Sequence, residues 1–109
     1  MRKMMRSRFV IGIICTLLCG CVSLNKRSLE KNDVIVFLGD SITQEGVRSD
    51  GYVTLTSKVI AKTYPDLNIG VIGAGISGHK VPDCQKRLDR DVLQREPTIV
   101  VIYIGINDV

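Results

Sequence analysis

Three short apolar runs, each closed by a glycine-bearing polar turn, constrain this chain of 109 residues more than any other feature. The first is Val34-Ile35-Val36-Phe37-Leu38, within a strand read from Asp33 to Leu38, followed by Gly39-Asp40-Ser41. The second runs from Leu67 to Ile72 and meets Gly73-Ala74-Gly75, with Gly73 to Gly78 read as its turn. The third runs from Thr98 to Ile104, after Pro97, and meets Gly105-Ile106-Asn107-Asp108. Runs of this length, rich in β-branched residues, read as buried strands. Strands apolar on both faces belong to a parallel sheet covered on two sides by helices.

The intervening segments supply those helices. One is expected from about Tyr52 to Tyr64, with Tyr52, Leu55, Val59 and Ile60 on one side and Pro65 as its stop. Arg48 to Gly51 reads as the loop before it. The other helix starts near Pro82, a residue suited to a first helical position, and carries Val81, Cys84, Leu88 and Val92 on one face. The order is β-α-β-α-β, an α/β fold on a parallel sheet. Right-handed crossovers bring all three strand carboxyl ends to one edge. Open α/β sheets expose their reactive groups there.

The front of the chain follows different rules. Arg2, Lys3, Arg6 and Arg8 are the only charges in the first 20 residues, and they precede the apolar segment Phe9 to Leu18. A positive stretch before a short apolar one is the order of a secretory signal. The segment falls short of the roughly 18 apolar residues that suggest a spanning helix. Its end, Leu18-Cys19-Gly20-Cys21, resembles the lipobox of bacterial lipoprotein signals, with Cys19 where Ala, Ser or Thr is more usual. That resemblance implies a signal over residues 1–20, lipid attachment at Cys21, a tether over 21–32 and a domain over 33–109. It also implies export to the bacterial cell envelope, as a membrane-anchored protein of the periplasm or cell surface. The alternatives are an ordinary cleaved signal and an uncleaved anchor.

Two function classes are disfavoured. Without the four leading cations the chain is formally neutral, with 11 basic and 11 acidic residues. It has no basic stripe or aromatic-interleaved basic patch suited to nucleic acid. Cys84 would be the only thiol of the mature body, so no disulfide framework is expected. Cys15, Cys19 and Cys21 lie in or beside an apolar segment without histidine and do not read as a zinc cluster. No metal or organic cofactor is expected.

The strand ends carry groups suited to ester hydrolysis. Such chemistry needs a hydroxyl nucleophile, a base for its proton, and donors aimed at the oxyanion. Ser41 offers the hydroxyl and its own N–H. Gly75 has no side chain, so its N–H can approach a substrate closely. Asn107 offers a neutral side-chain amide. Asp40 reads as a turn former or cap. Cys84 reads as a core residue, and Lys86-Arg87 to Arg90 as a solvated helix face.

Gly39-Asp40-Ser41-Ile42-Thr43, Gly73-Ala74-Gly75-Ile76-Ser77-Gly78 and Gly105-Ile106-Asn107-Asp108, in this order, resemble the first three blocks of the SGNH/GDSL hydrolases. The resemblance covers Asp33 to Val109. It implies a three-layer flavodoxin-like α/β/α fold with only the first three strands present. It also implies a serine esterase or lipase acting by two-step acyl transfer on a small ester, a lipid or an acetylated carbohydrate. Ser41 would be the nucleophile, Gly75 the oxyanion glycine and Asn107 the oxyanion asparagine. Gly73 stands where the family often has asparagine, and Glu45 where glycine is common. Nothing matches the family's Asp-x-x-His block. His79, the only histidine, is out of order for the base and reads as a polar loop residue. The stretch is therefore expected to be the N-terminal part of a longer enzyme. Made alone, it is expected to fold poorly, with strand three as an unpaired apolar edge, and to hydrolyse nothing.

Two rival readings remain. Gly73 to Gly78 also fits G-x-G-x-x-G after a strand, a dinucleotide fingerprint, with Asp91 near the distance of its acidic residue. That reading leaves the Gly39-Asp40-Ser41 turn unexplained. The other rival is a non-catalytic, glycan-binding surface lipoprotein with a degenerate esterase fold.

Overall fold

The computed structural model describes residues 27–109. The expected signal over 1–20 and the Cys21 attachment site lie outside these residues. Three strands, β1 (Val34–Gly39), β2 (Gly70–Gly75) and β3 (Ile99–Tyr103), form one parallel sheet in the order β2-β1-β3. Three α-helices join them: α1 (Ser41–Gly46), α2 (Tyr52–Thr63) and α3 (Val81–Asp91). This is the expected α/β class, and the strand order is that of the first three strands of a flavodoxin-like sheet.

β1 lies at the centre because both of its faces are apolar. Val36 and Leu38 point to one side, where they pack with Cys84 and Val92 and with the partly buried Ile72, Ala74 and Leu88. Ile35 and Phe37 point to the other, where they pack with Val53, Tyr52 and Ile60. The two-residue alternation of a strand thus divides one apolar run between two cores. The α3 side and the α2 side become the outer layers. Residues 27–32, the later part of the expected tether, lie against this body. Leu29 packs on the α2 side, and Arg27 donates to Thr98 O and to the Asp33 carboxylate.

Several boundaries differ from those the sequence suggested. β2 starts at Gly70, not Leu67. Pro65–Leu67 forms a 3₁₀ turn, and Asn68 follows with φ 51°, a left-handed residue that breaks extended backbone. The strand then continues through Gly73-Ala74-Gly75, which pairs with Phe37-Leu38-Gly39. Strand pairing and packing against α1 override the low β-propensity of these glycines. The α2 face also differs. Val53 is its buried residue, whereas Leu55 and Val59 are 48% and 63% exposed. On α3, Cys84 is buried as expected, but Val81 is exposed. Arg87 is buried at 5% exposure, so the expected solvated face does not hold there. Its buried guanidinium is compensated by hydrogen bonds described below.

Among the described residues, β3 is an outer strand. Val100, Val101, Ile102 and Tyr103 are all exposed, Ile102 most at 63%.

Gly75 sets how closely α1 approaches the sheet. A Cβ there would lie 2.7 Å from Asp40 O and closer still to the Gln44 nitrogen, both backbone atoms of the α1 entry. At Gly70 an added Cβ would meet only Val34 and Asp33 at ordinary contact distances. Gly75→Ala is expected to lower stability by about 1–3 kcal/mol through overpacking. Gly70→Ala should stay within about 0.5 kcal/mol of wild type. Urea unfolding of the two variants checks the contrast.

Candidate active site

Ser41 is the first residue of α1, directly past the carboxyl end of β1. Asp40 caps this helix. Its Oδ1 accepts the Ile42 N–H at 3.0 Å, and its backbone oxygen accepts the Gln44 N–H at 2.9 Å. The Ser41 N–H belongs to the first helical turn, whose amides have no intrahelical acceptor. Asp40 is buried and engaged as a cap, in keeping with the turn-forming role read from the sequence.

Two further contacts hold α1 in place. Thr43, fully buried, shares a 2.8 Å hydrogen bond with the Tyr52 hydroxyl. The Tyr52 ring packs edge-on against Phe37 of β1 and Tyr103 of β3. Gln44 Oε1 accepts the Ser77 N–H at 2.7 Å, which ties α1 to the turn after β2.

Gly75 is the last residue of β2 and pairs in register with Gly39. The Gly70 and Ile76 amides donate to Asp33 O and Gly39 O of the β1 side. Donors alternate along a parallel strand, so the Gly75 N–H is turned away from β1. The Cα side of Gly75, rather than its N–H, lies beside the backbone that carries Ser41 into α1.

Asn107 lies in a 3₁₀ turn, Ile106–Asp108, four residues past the end of β3. Gly105 makes the bend possible with φ 129°, a conformation open to glycine. The Asn107 Nδ2 donates to His79 O at 3.0 Å. A primary amide has two N–H donors, so one remains for another acceptor. Asp108 supports the same turn, as its carboxylate accepts the Val81 N–H at the start of α3, at 3.1 and 3.3 Å. The turns after β2 and β3 are thus bonded to each other, as those after β1 and β2 are through Gln44.

All three sequence-derived residues therefore sit at one edge of the sheet. Between the ends of β1 and β3 lies an open apolar depression of about 360 Å³. Its lining includes Asp40, Ile42, Tyr103, Ile104 and Ile106.

His79 is held differently. Its Nδ1 accepts from Arg87 Nε at 3.0 Å. In a hydrolytic triad that nitrogen donates to an orienting carboxylate. The guanidinium occupies the place such an acid would take. Arg87 and the Gln44–Ser77 contact escaped the sequence reading, whereas Asp108 could be read as a support of the Asn107 loop but without its partner, Val81. Of the first two, only the Arg87–Asp91 spacing, four apart on a helix, is a signal readable from sequence.

A parallel sheet with a serine turn, a bare glycine and an asparagine turn at one edge defines an SGNH-type α/β protein. Residues 37–109 match the GDSL-like lipase/acylhydrolase family, and the chain belongs to it. An acetylxylan esterase from Geobacillus stearothermophilus is 38% identical over 86 residues, which cover 69% of this chain and 39% of that protein. The chain thus spans about two fifths of the length of this curated relative.

Solved structures agree. The crystal structure of an acetyl xylan esterase matches 70% of this chain and 38% of its own, at 43% identity and a TM-score of 0.65. A gut microbial diltiazem-metabolizing enzyme matches 75% of this chain and 18% of its own, at 33% identity and a TM-score of 0.68. Solved variants of the Geobacillus esterase described as catalytic mutants replace a serine or a histidine by alanine.

The electrostatics of α3 make a pH dependence. Asp91 receives two hydrogen bonds from Arg90 and one from Arg87. The Arg90 bonds, opposed by partial burial and aided by Arg87, pull its carboxyl down to about 2 from the ordinary 3.8. A carboxyl depressed by folding adds stability above its unfolded value and loses it as pH falls through the folded one. Wild type is expected to lose this contribution progressively from about pH 4 to pH 2, and Asp91→Asn to lack it. Melting temperatures of the two proteins across that range check the difference.

Proposed function

We propose that this protein is a serine ester hydrolase acting on acetylated carbohydrate, with Ser41 as nucleophile. The Ser41 Oγ attacks the ester carbonyl carbon and gives its proton to a base, which passes it to the departing sugar hydroxyl. The oxyanion is held by the Ser41 N–H and by the second Nδ2–H of Asn107. Water then attacks the acyl-enzyme and releases acetate and the free serine. Convergence of the three strand ends on one sheet edge carries this reading. The acetylxylan esterase relatives support acetyl esters of a carbohydrate as substrate.

The base in this proposal is a histidine beyond Val109, held by its own acid in an Asp-x-x-His block, since His79 is the one histidine of residues 1–109. His79 does not suit the role, because Arg87 already donates to its Nδ1. The chain is further proposed to be exported by residues 1–20 and anchored through lipid on Cys21. The basic-then-apolar leader and Leu18-Cys19-Gly20-Cys21 support that part. A single acyl chain binds a membrane only marginally, so a diacylglycerol thioether, with a third chain on the new amine, would hold the enzyme firmly.

Acetate release from acetylated xylan and turnover of p-nitrophenyl acetate by the full-length protein test the activity. Ser41→Ala should fall to background. Asn107→Ala should lower kcat by about 10²–10³ with the fold intact. Residues 22–109 alone should show no serine-dependent turnover. Glycan binding with no turnover by the full-length protein would favour a non-catalytic module instead. Incorporation of labelled palmitate into wild type but not Cys21→Ala checks the anchor.

A further inference from the structure

Residues 27–32 are held to the sheet at the edge opposite the candidate site. Arg27 Nη1 donates to Thr98 O at 3.0 Å, and Nη2 donates to Asp33 Oδ1 at 3.1 Å. The Glu30 N–H donates to Asp33 Oδ2 at 2.8 Å, and the Asn32 N–H donates to Leu67 O at 2.7 Å. Asn68 Nδ2 donates to Asn32 Oδ1 at 3.1 Å. Leu29 is half-buried against the cluster of Ile35, Phe37 and Val53. Asp33, Leu67, Asn68 and Thr98 all lie shortly before the amino ends of the three strands, whereas Ser41 lies past the carboxyl end of β1.

Asp33 makes this more than a surface contact. It is buried, and its carboxylate accepts from both Arg27 and Glu30. Releasing the segment would leave a buried charge short of partners, which is costly. An exposed ion pair alone holds little, but here the ion pair, the backbone bonds and Leu29 act together. The segment is therefore part of the body, and the tether that an anchor at Cys21 requires ends at Arg27 rather than at Asn32.

Length decides what this docking does. Cys21 and Arg27 are six residues apart in sequence, a span of about 20 Å at full extension. β1 has six residues at about 3.3 Å each, so with the step to Ser41 the two edges are separated by about 20 Å. With the segment undocked, the twelve residues from Cys21 to Asp33 would span about 40 Å. The short tether reaches across the body only when pulled straight. The long one would do so with slack.

We propose that residues 27–32 stand the anchored enzyme on the membrane, with the strand amino ends toward the bilayer and the Ser41 edge facing away. The partner of the amino-end edge is the phospholipid surface that holds Cys21. The substrate then arrives from outside, as an acetylated polysaccharide does. An ester embedded in the same bilayer lies at the wrong end of the molecule. This orientation rests on the lipid-anchor reading of Cys21, and it narrows the ester classes open to the proposed hydrolase.

The test uses the full-length lipidated protein in vesicles of phosphatidylethanolamine and phosphatidylglycerol that carry nitroxide-labelled headgroups. A fluorophore is attached at Asp66→Cys, exposed at the amino-end edge, or at Lys80→Cys, exposed at the start of α3. Cys84 is buried and does not compete for the label. Quenching should be several-fold stronger at position 66. Two changes should each bring the labels level. Arg27→Ala with Leu29→Ala undocks the segment, and a Gly-Ser insertion of equal length before Arg27 lengthens the tether with the docking intact. Turnover of soluble p-nitrophenyl acetate should stay at the wild-type level in both. Cleavage of an acetylated diacylglycerol embedded in the vesicles should be near background in wild type and rise several-fold in both.

Equal quenching at the two positions of wild type, or stronger quenching at position 80, overturns the proposal. So does a difference that survives either change in a folded protein, and so does wild-type cleavage of the embedded ester as fast as the soluble one. If the undocked variant does not fold, the insertion variant decides. A wild type that takes up no palmitate sinks the anchor reading and the orientation with it, a result read from the lipid label and not from quenching. A wild type without esterase activity sinks the hydrolase reading instead, and quenching alone then decides the orientation.

Discussion

β1 pairs in parallel with β2 on one edge and β3 on the other, and the positions of the candidate groups follow from that double pairing. Gly39 is the common point, opposite Gly75 on one side and Tyr103 on the other. Parallel register means that the three chains leave the sheet at the same level. Ser41, Gly75 and Asn107 lie within a few residues of those exits. An antiparallel strand at either side would have sent its turn to the opposite edge. The apolar character of β1 on both faces makes this pairing favourable, because each face buries against a separate helix.

The edge so formed is built largely from backbone. Gly75 brings the α1 entry close by having no side chain, and Gly105 turns β3 toward Asn107. Asp40 then caps its own turn, while Gln44, Asn107 and Asp108 bond to amides and carbonyls of neighbouring turns. Each turn is held by another turn as well as by its own strand. A backbone group held this way is oriented before a substrate arrives, which is the condition under which a dipole stabilises developing charge. Removing one such contact is therefore expected to affect orientation more than global stability.

The outer face of β3 contrasts with this edge. Val100 to Tyr103 are apolar and exposed, and the chain spans only about two fifths of its curated relative. A flat apolar strand with free amides is a template for further pairing. The site and this surface adjoin at Tyr103, which packs edge-on with Tyr52 on one side and borders the apolar depression on the other.

How legible this was from sequence varied with the kind of information each residue carries. β1 could be read to within one residue, because Val34 to Leu38 is apolar enough to declare a buried strand without help. The three turns could be read as sites because glycine, serine and asparagine recur at strand ends. β2 was displaced toward Leu67, because Gly73-Ala74-Gly75 lacks strand propensity and becomes extended only when β1 and α1 pack on it. The α2 face was misjudged because several apolar faces fit its spacing, and only the sheet selects Val53 over Leu55. The apolar runs and their glycine turns thus determined the α/β class and the strand count of this stretch, and the motif resemblance pointed to Ser41, since local chemistry suffices for those. The burial of Arg87 and its hold on Gly39 O and Ala74 O were decided only in three dimensions. Those contacts join atoms 48 and 13 residues apart, a separation that no local pattern encodes.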